Sequence, residues 1–448
     1  MSDKLSIDAG TYDVNEGVHK ITDYSCINRD MQHKSIKERL YLHMDMNCFY
    51  AQVEQMCFDL YGLPIYIGGW YKGKKGIPRG IVATSSYEAR AFGVKTGMSA
   101  YEAEKLCPYI IGLQAHYEKY KGISFEIEEV LNQFAMDVEK YSMDEYFLDI
   151  NFLKNKSREE VENYCKELQD LIYNEVGLVC SIGVGTSKTY SKLASDLKKP
   201  KGITIVLTEK DIREKIHPLD LDEVWGIGRN RYKKLTGKGL KTIEDGINRG
   251  YKIFQDLFGE YFGKLMYEMV AGKDRAKVLT PEDIKPDPEQ LNYMDTFSDW
   301  TRNLDRVEGE IMKGIAELGY RMRGYGLKSE KYYCYLRVQD QKWSGIKFRF
   351  NTEGKTNLDD YIHYECMRKA KPRMKKLVEH GFTIRGIGLG ALSFLETDQM
   401  ELFFEEDEKT QNFYLVQDAI NNKFGKGTIQ KAAVKYDVPG NTHFLERS

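Results

Sequence analysis

The chain has 448 residues, too many for one hydrophobic core and enough for roughly two to four domains of ordinary size. Hydrophobic residues at 42%, charged residues at 30%, 10 Pro and a mean hydropathy of −0.54 exclude a disordered chain, and no run reaches the roughly 18 apolar residues of a membrane span. The formal net charge of −2 taken alone weighs against a nucleic-acid partner. The first 40 residues are polar and mixed in charge, with no basic start followed by an apolar run, so a cytoplasmic protein is expected. Eight scattered cysteines without a C-x-x-C pair read as reduced thiols rather than a zinc or disulfide framework. The 31 tyrosines suit half-wet surfaces and interfaces.

In chain order, residues 1–38 lack sustained periodicity and read as an N-terminal extension, with a short helix around Met31 to Arg39. Leu40, Leu42 and Met44 alternate, which predicts a strand ending at Asp45; Phe49, Val53 and Met56 recur at helical spacing directly after it. Strands are expected at Pro64 to Gly68 and Ile81 to Ser85, on either side of a basic, glycine-rich stretch from Trp70 to Arg79. From His116 to about Leu207, helix patterns (Tyr120 to Phe134, Arg158 to Glu175) alternate with strand patterns (Val138 to Ile150, Val179 to Gly185), an α/β or α+β layer. Residues 211–277 are mainly helical, and Pro281, Pro286 and Pro288 mark a linker. A second α/β unit follows, with helices at Gly309 to Arg323 and Asp359 to His380 and strands at Tyr332 to Val338, Ile346 to Phe350 and Thr383 to Leu395. Beyond Asp398 the acidic run Glu405 to Glu408 predicts release from the compact domain, with a helix-like stretch from Asn412 to Phe424.

Two carboxylate positions stand out: Asp45 at the end of the first strand, and the adjacent pair Asp144 and Glu145. Successive strand residues point to opposite faces, so an adjacent pair serves one site only from a bend between two strands. Three acids brought together without basic partners repel strongly, and divalent cations relieve that repulsion. Mg²⁺ takes a few carboxylates plus phosphate oxygens, and two such ions activate an attacking oxygen and stabilise a leaving one. Any single Asp at a strand end is more often a solvated surface group, so the inference rests on the combination.

That combination sits among longer stretches: His43-Met-Asp-Met-Asn-Cys-Phe-Tyr-Ala-Gln-Val-Glu54, Pro64 to Gly69, Val82 to Gly97, Tyr141-Ser-Met-Asp-Glu-Tyr-Phe-Leu-Asp149, Ser181 to Lys188 and Lys192 to Gly202. In this order and spacing, over about residues 40 to 404, the sequence resembles the Y-family, or translesion, DNA polymerases, most closely their DinB (polymerase IV-like) branch. The resemblance implies an α+β multidomain fold, a right-hand polymerase with palm (39–48 and 116–206), fingers (49–115), helical thumb with a helix-hairpin-helix (207–280), linker (281–290), a βαβ-type little finger (291–398) and a C-terminal tail (399–448). It implies template-directed, error-prone DNA synthesis past damaged bases, transferring dNMP from dNTP to a primer 3′-OH. No second carboxylate cluster points to proofreading.

By the same resemblance, Asp45, Asp144 and Glu145 are the catalytic acids and hold two Mg²⁺ ions, with Mn²⁺ as a substitute and the Met46 carbonyl assisting. Asn47 stands where the family usually has a second Asp. Tyr146 replaces a usually small residue, and its ring must find room beside the primer end. Thr84, Tyr87, Arg90 and Lys199 match triphosphate contacts, as charge and hydroxyl donors should. Tyr50 matches the ring that lies under the deoxyribose and excludes a 2′-hydroxyl by shape. Each has a plainer alternative: Arg90 a surface helix residue, Lys199 a solvated loop lysine, Tyr50 a core aromatic beside Phe49.

Five lysines between Lys188 and Lys201 face one acid, Asp196, and such local basicity suits phosphates. The turn Gly226-Ile227-Gly228 between helix patterns resembles the family's helix-hairpin-helix, bringing backbone N–H groups to a phosphate while Arg229, Arg231, Lys233 and Lys234 add charge. The helix Asp359 to His380, with Arg368, Lys369, Lys371, Arg373, Lys375 and Lys376, is a candidate backbone-facing stripe. Gln399-Met-Glu-Leu-Phe-Phe404 resembles the peptide with which bacterial polymerases hold the sliding clamp, through Gln399, Leu402 and Phe403; the alternative is packing on its own domain. The expected partners are primer–template DNA, dNTP and the clamp, for a monomer with no membrane contact. Two other readings remain. A palm-type nucleotidyl cyclase is faintly echoed by Ser142 to Tyr146, and a decayed DNA-binding scaffold is opposed by the intact acids.

Overall fold

The structure, a computed structural model, describes residues 39–69, 71–72, 78–135, 137–274, 276–280, 283, 288–338, 345–396, 408–425 and 427–429. The expected N-terminal helix near Met31, most of the linker and the clamp-like Gln399 to Phe404 lie outside the described residues. The chain forms two compact units, 1–284 and 285–448.

In the first unit the strands are β1 Tyr41–Met46, β2 Ile65–Gly68, β3 Tyr71–Lys72, β4 Pro78–Arg79, β5 Val82–Ser85, β6 Ile111–Gln114, β7 Val138–Lys140, β8 Glu145–Asp149, β9 Cys180–Gly185 and β10 Ile203–Ile205. Its helices are α1 Phe49–Phe58, α2 Tyr87–Ala91, α3 Ala100–Leu106, α4 Tyr117–Phe134, α5 Arg158–Val176, α6 Lys188–Asp196, α7 Arg229–Thr236, α8 Ile243–Arg249, α9 Tyr251–Phe258 and α10 Glu260–Val270.

The main sheet runs β10-β9-β1-β8-β7, with β1 antiparallel to both neighbours. Every β1 residue is buried, as expected for a strand covered on both faces. On one face Leu42, Met44, Leu148 and Ile182 join α1, α4 and α5 in a single core. Helix α5 illustrates the local logic. Ser157 and Glu160 form a capping box, Val161, Cys165, Leu168 and Ile172 recur on the buried stripe, and Gly177 ends the helix at φ 78°.

The other face is set by close approach. A Cβ on Gly183 would meet the Ser191 carbonyl oxygen at 2.0 Å, and one on Gly185 would meet Ser191 N at 2.6 Å, so only glycine lets α6 lie directly on β9. This seating carries Lys188, Lys192 and the loop after α6 over the same face as Asp45 and Ser181. A smaller sheet, β5-β2-β6, packs with α2 and α3 around Tyr66, Val82, Ala89, Ala100 and Ala103. Helices α7 to α10 close on Leu221, Leu235, Ile243, Phe254, Met266 and Val270.

In the second unit, strands β11 Gln290–Thr301, β12 Leu327–Val338, β13 Gly345–Thr356, β14 Ile384–Leu392 and β15 Leu395–Glu396 accompany helices α11 Leu304–Gly324, α12 Asp359–Glu379 and α13 Glu408–Phe424. The sheet order is β11-β14-β12-β13, and α11 and α12 cover one face with Ile311, Ile315, Leu318, Ile362 and Cys366. Strand β11 is absent from the sequence reading because Asp295 interrupts its inward row of Leu291, Tyr293 and Phe297. The expected release beyond Asp398 does not hold for residues 408–424. Tyr414 of α13 is fully buried, and the Arg323 guanidinium is held between Asp359 and Asp418 at 2.9 and 2.6 Å.

Candidate active site

The β1–β8 register places Asp45 directly opposite Glu145. Met46 N–H donates to the Asp144 carbonyl at 2.9 Å, so Asp144 sits at the turn just before β8. The bend required for an adjacent Asp–Glu pair to serve one site is therefore present. Ser142 shapes it: its hydroxyl donates to Asp144 Oδ1 at 2.6 Å and accepts from Asp144 N–H at 3.3 Å.

Eight of the nominated side chains and backbones surround one pocket of about 230 Å³. Asp45, Met46 and Asp144 form its acidic wall, Tyr50 its aromatic side, and Thr84, Tyr87, Arg90 and Lys199 the rest. Helix α2 begins at Tyr87, capped by Ser86, and Arg90 lies 5.0 Å from the Tyr87 ring centre with its Nε donating to the Ser85 carbonyl at 3.1 Å. The Tyr87 hydroxyl is buried and has no hydrogen-bond partner among the described residues, a donor left for a ligand oxygen. A larger pocket of about 600 Å³ in the second unit, between Gln290, Lys331, Arg349 and Ser393, contains none of the nominated residues.

Tyr50 stacks on Tyr120 with ring centres 4.5 Å apart at 20°. The Tyr120 hydroxyl donates to buried Glu54 at 2.7 Å, and Lys119 holds the other Glu54 oxygen at 2.8 Å. The ring facing the pocket thus rests on a braced second ring.

The carboxylates are not free of basic partners, contrary to the sequence expectation. Lys199 Nζ lies 2.7 Å from Asp45 Oδ1 and 2.7 Å from Asp196, and Lys192 pairs with Glu145. Burial pushes the Asp45 carboxyl up to about 7, against the pull of Lys199 and helped by the repulsion of Glu145 and Asp144. Burial likewise raises Asp144, with Glu145 adding to it. For Lys199, burial works against the ammonium, but Asp45 and Asp196 outweigh it and raise its pKa. Among the described residues, no three His, Cys, Asp or Glu side chains converge as a ready ligand set, and lysines pair with two of the acids. The donor chemistry nonetheless fits a divalent cation: buried oxygens whose charge is disfavoured by burial and by one another are the kind a cation stabilises.

Tyr146 needs no room beside the pocket. It pairs with Met44, faces the core, is fully buried, and donates to the Ser124 carbonyl at 2.9 Å. Strand alternation puts it on the face opposite Glu145. Asn47 is likewise buried, bonded to Ser181 and to the backbone of Lys201.

Gly226 has φ 85°, a conformation natural to glycine, and Gly228 caps α7, with Arg229, Arg231, Lys233 and Lys234 exposed along the helix. Trp225 stands 4.8 Å from Tyr141 and thereby touches the turn that carries Asp144. On α12, Arg368 is spent on Glu365 and Lys371 on Glu308. The open face of the second sheet instead carries Tyr333, Tyr335, Arg337, Lys347 and Arg349 opposite Gly386, Gly388 and Gly390. Sequence reasoning counted Lys192 among the phosphate-suited lysines but missed its pairing with Glu145, and it missed the Tyr120–Glu54 brace, because both join distant segments; the Ser142-x-Asp144 spacing was the one local signal available.

Residues 44–196 match the model of the impB/mucB/samB family. DNA polymerase IV of Bacillus anthracis is 31% identical over 412 residues, covering 89% of this chain and 94% of the relative; that of Bacillus velezensis is 29% identical over 409 residues, covering 89% and 94%. A solved Y-family DNA polymerase chimera superposes with a TM-score of 0.66 at 21% identity, and the insertion ternary complex of Dbh DNA polymerase with 0.50 at 20%. Each covers 80% of this chain and 100% of its own, a likeness of fold. With its strand-edge acids, its pocket and a relative matched along nearly the whole length, the chain belongs to the DinB-like branch of the Y-family polymerases and is a DNA-directed DNA polymerase of translesion synthesis.

Proposed function

We propose that Asp45, Asp144 and Glu145, with the Met46 carbonyl, hold the divalent cations of nucleotidyl transfer, and that the pocket beside them receives the dNTP. The observation that carries this reading is the single cavity shared by Asp45, Asp144, Tyr50, Thr84, Tyr87, Arg90 and Lys199. Two bound Mg²⁺ ions would supply Lewis acidity for the primer 3′-OH and charge neutralisation for the leaving pyrophosphate. The protein's own part is placement. Arg90 and Lys199 offer charge to the triphosphate, Thr84 and Tyr87 offer hydroxyls, and Tyr50, braced by Tyr120, rejects a 2′-hydroxyl by shape.

The experiment is primer extension with Mg²⁺ by Asp144→Asn: extension disappears while primer–template binding persists, and retained turnover would falsify the assignment. Tyr50→Ala raises ribonucleotide incorporation; unchanged sugar discrimination removes that role.

Within the first unit, the Gly226–Gly228 turn with Arg229, Arg231 and Lys233 is proposed to contact the DNA backbone, and within the second unit, taken by itself, the open sheet face at Tyr333, Arg337, Lys347 and Arg349 is proposed to do the same, both without sequence readout. Four hydrophobic cores support a division into palm, fingers, thumb and little finger, with Phe49 to Val53 of the fingers range sharing the palm core and Tyr190 to Ala194 of the palm range sharing the thumb core. The proposal extends to a cytoplasmic monomer that holds the sliding clamp through Gln399, Leu402 and Phe403. Among the described residues no helix is long and apolar enough to cross a membrane. Sedimentation at twice the chain mass removes the monomer, and clamp-stimulated processivity that survives Leu402→Ala with Phe403→Ala removes the clamp contact.

A further inference from the structure

Asn47 lies two residues past Asp45, is 2% exposed, and ties three segments together. Its Oδ1 accepts the Lys201 backbone N–H at 2.8 Å, and its Nδ2 donates to Ser181 Oγ at 2.8 Å. A backbone N–H can only donate, so the orientation of the carboxamide is determined by its partners. Its own main chain is equally held. Asn47 N–H donates to the Val179 carbonyl at 3.0 Å, and the Gln52 amide bonds the Asn47 carbonyl while bridging both backbone groups of Val179 at 2.9 Å.

The group it grips needs gripping. Lys201 has φ 57°, in the left-handed region that a residue with a Cβ adopts only at a cost. Gly202 follows in a turn so tight that a Cβ would meet the Lys198 carbonyl oxygen at 2.0 Å. On the carbonyl side Gln169 reaches Lys201 O at 3.4 Å and Cys180 O at 2.9 Å, so Asn47 is the anchor on the N–H side. Lys199, two residues upstream in the same turn, places its ammonium 2.7 Å from Asp45 on the pocket wall.

We propose that Asn47 is a positioning residue for nucleotide binding: its carboxamide fixes the Lys201 turn and thereby presents Lys199 to the triphosphate. The side-chain oxygen of Asn47 supplies the acceptor that the Lys201 N–H requires. The inference rests on the reading of Lys199 as a triphosphate contact, and the test separates the two.

Single-nucleotide incorporation with dNTP, primer–template and Mg²⁺ is measured for Asn47→Ala, Asn47→Asp, Lys199→Ala and the double variant Asn47→Ala with Lys199→Ala. Asn47→Ala raises the KM for dNTP about tenfold, with kcat within about threefold and primer–template affinity unchanged. Asn47→Asp, which keeps the acceptor, restores KM to within about threefold of the parent, and the double variant is no worse than Lys199→Ala. If Asn47→Ala does not fold, Asn47→Ser, one bond too short for the Lys201 N–H, carries the same expectation. A raised KM in Lys199→Ala beside an unchanged KM in Asn47→Ala or Asn47→Ser overturns the positioning role, as do additive effects in the double variant. An unchanged KM in Lys199→Ala overturns the reading of Lys199 itself.

Discussion

Lys188 and Lys192 sit about one turn apart on α6, and each meets a carboxylate of the same sheet in a different setting. Lys188 Nζ lies 2.7 and 2.6 Å from the two oxygens of Glu139, and the side chains are 4% and 7% exposed. Glu139 also accepts the Leu279 N–H at 2.6 Å, and the Lys188 ammonium stands 4.5 Å from the Phe147 ring centre. Nothing in that pair is left to give. Lys192 with Glu145, and Lys199 with Asp45, are more exposed, and the second pair forms part of the pocket wall. A buried, fully bonded pair braces the segment near Leu279 against the sheet. On the proposed reading, a pair at the pocket wall would hold its carboxylate only until a divalent cation binds.

The comparison can be broken from its closed side first. Glu139→Ala strands a buried ammonium and an N–H, and should cost about 3–5 kcal/mol in a denaturant melt; a loss below about 1 kcal/mol contradicts the brace. Replacing both partners, Lys188→Met with Glu139→Leu, removes the unpaired charge and leaves only the Leu279 N–H without its acceptor, so about 1–3 kcal/mol should be lost. A loss as large as in Glu139→Ala would mean that the stranded charge is not the main cost. On the open side, Lys192→Ala should change stability by less than about 1 kcal/mol and let extension reach half its maximum at lower Mg²⁺. A higher Mg²⁺ requirement would show that Lys192 assists the site and does not compete for Glu145.

The acids were legible in sequence because a strand end and a bend are local features, and the Asp144–Glu145 pair states its own geometric condition. Tyr146 follows the bend in sequence and so reads as a neighbour of the primer end, although alternation from Glu145 turns it to the core. The lysine partners were not legible. Lys192 and Glu145 are brought together by α6 lying on Gly183 and Gly185, a seating set by missing side chains rather than by pattern. In the second unit, Asp295 hid β11, and the acidic run before α13 outweighed Tyr414, whose hydroxyl bonds Asp360 across 54 residues.

The central claim is that the open acids carry the chemistry while the closed pair carries the fold. The direct measurement is single-turnover primer extension in Mg²⁺ by Asp45→Asn and Glu139→Gln, side by side with their melting temperatures and primer–template affinities. Asp45→Asn should melt and bind DNA like the parent and lose extension by about a thousandfold or more, while Glu139→Gln should melt lower and still extend wherever it is folded. An Asp45→Asn variant that extends within about tenfold of the parent would contradict the account.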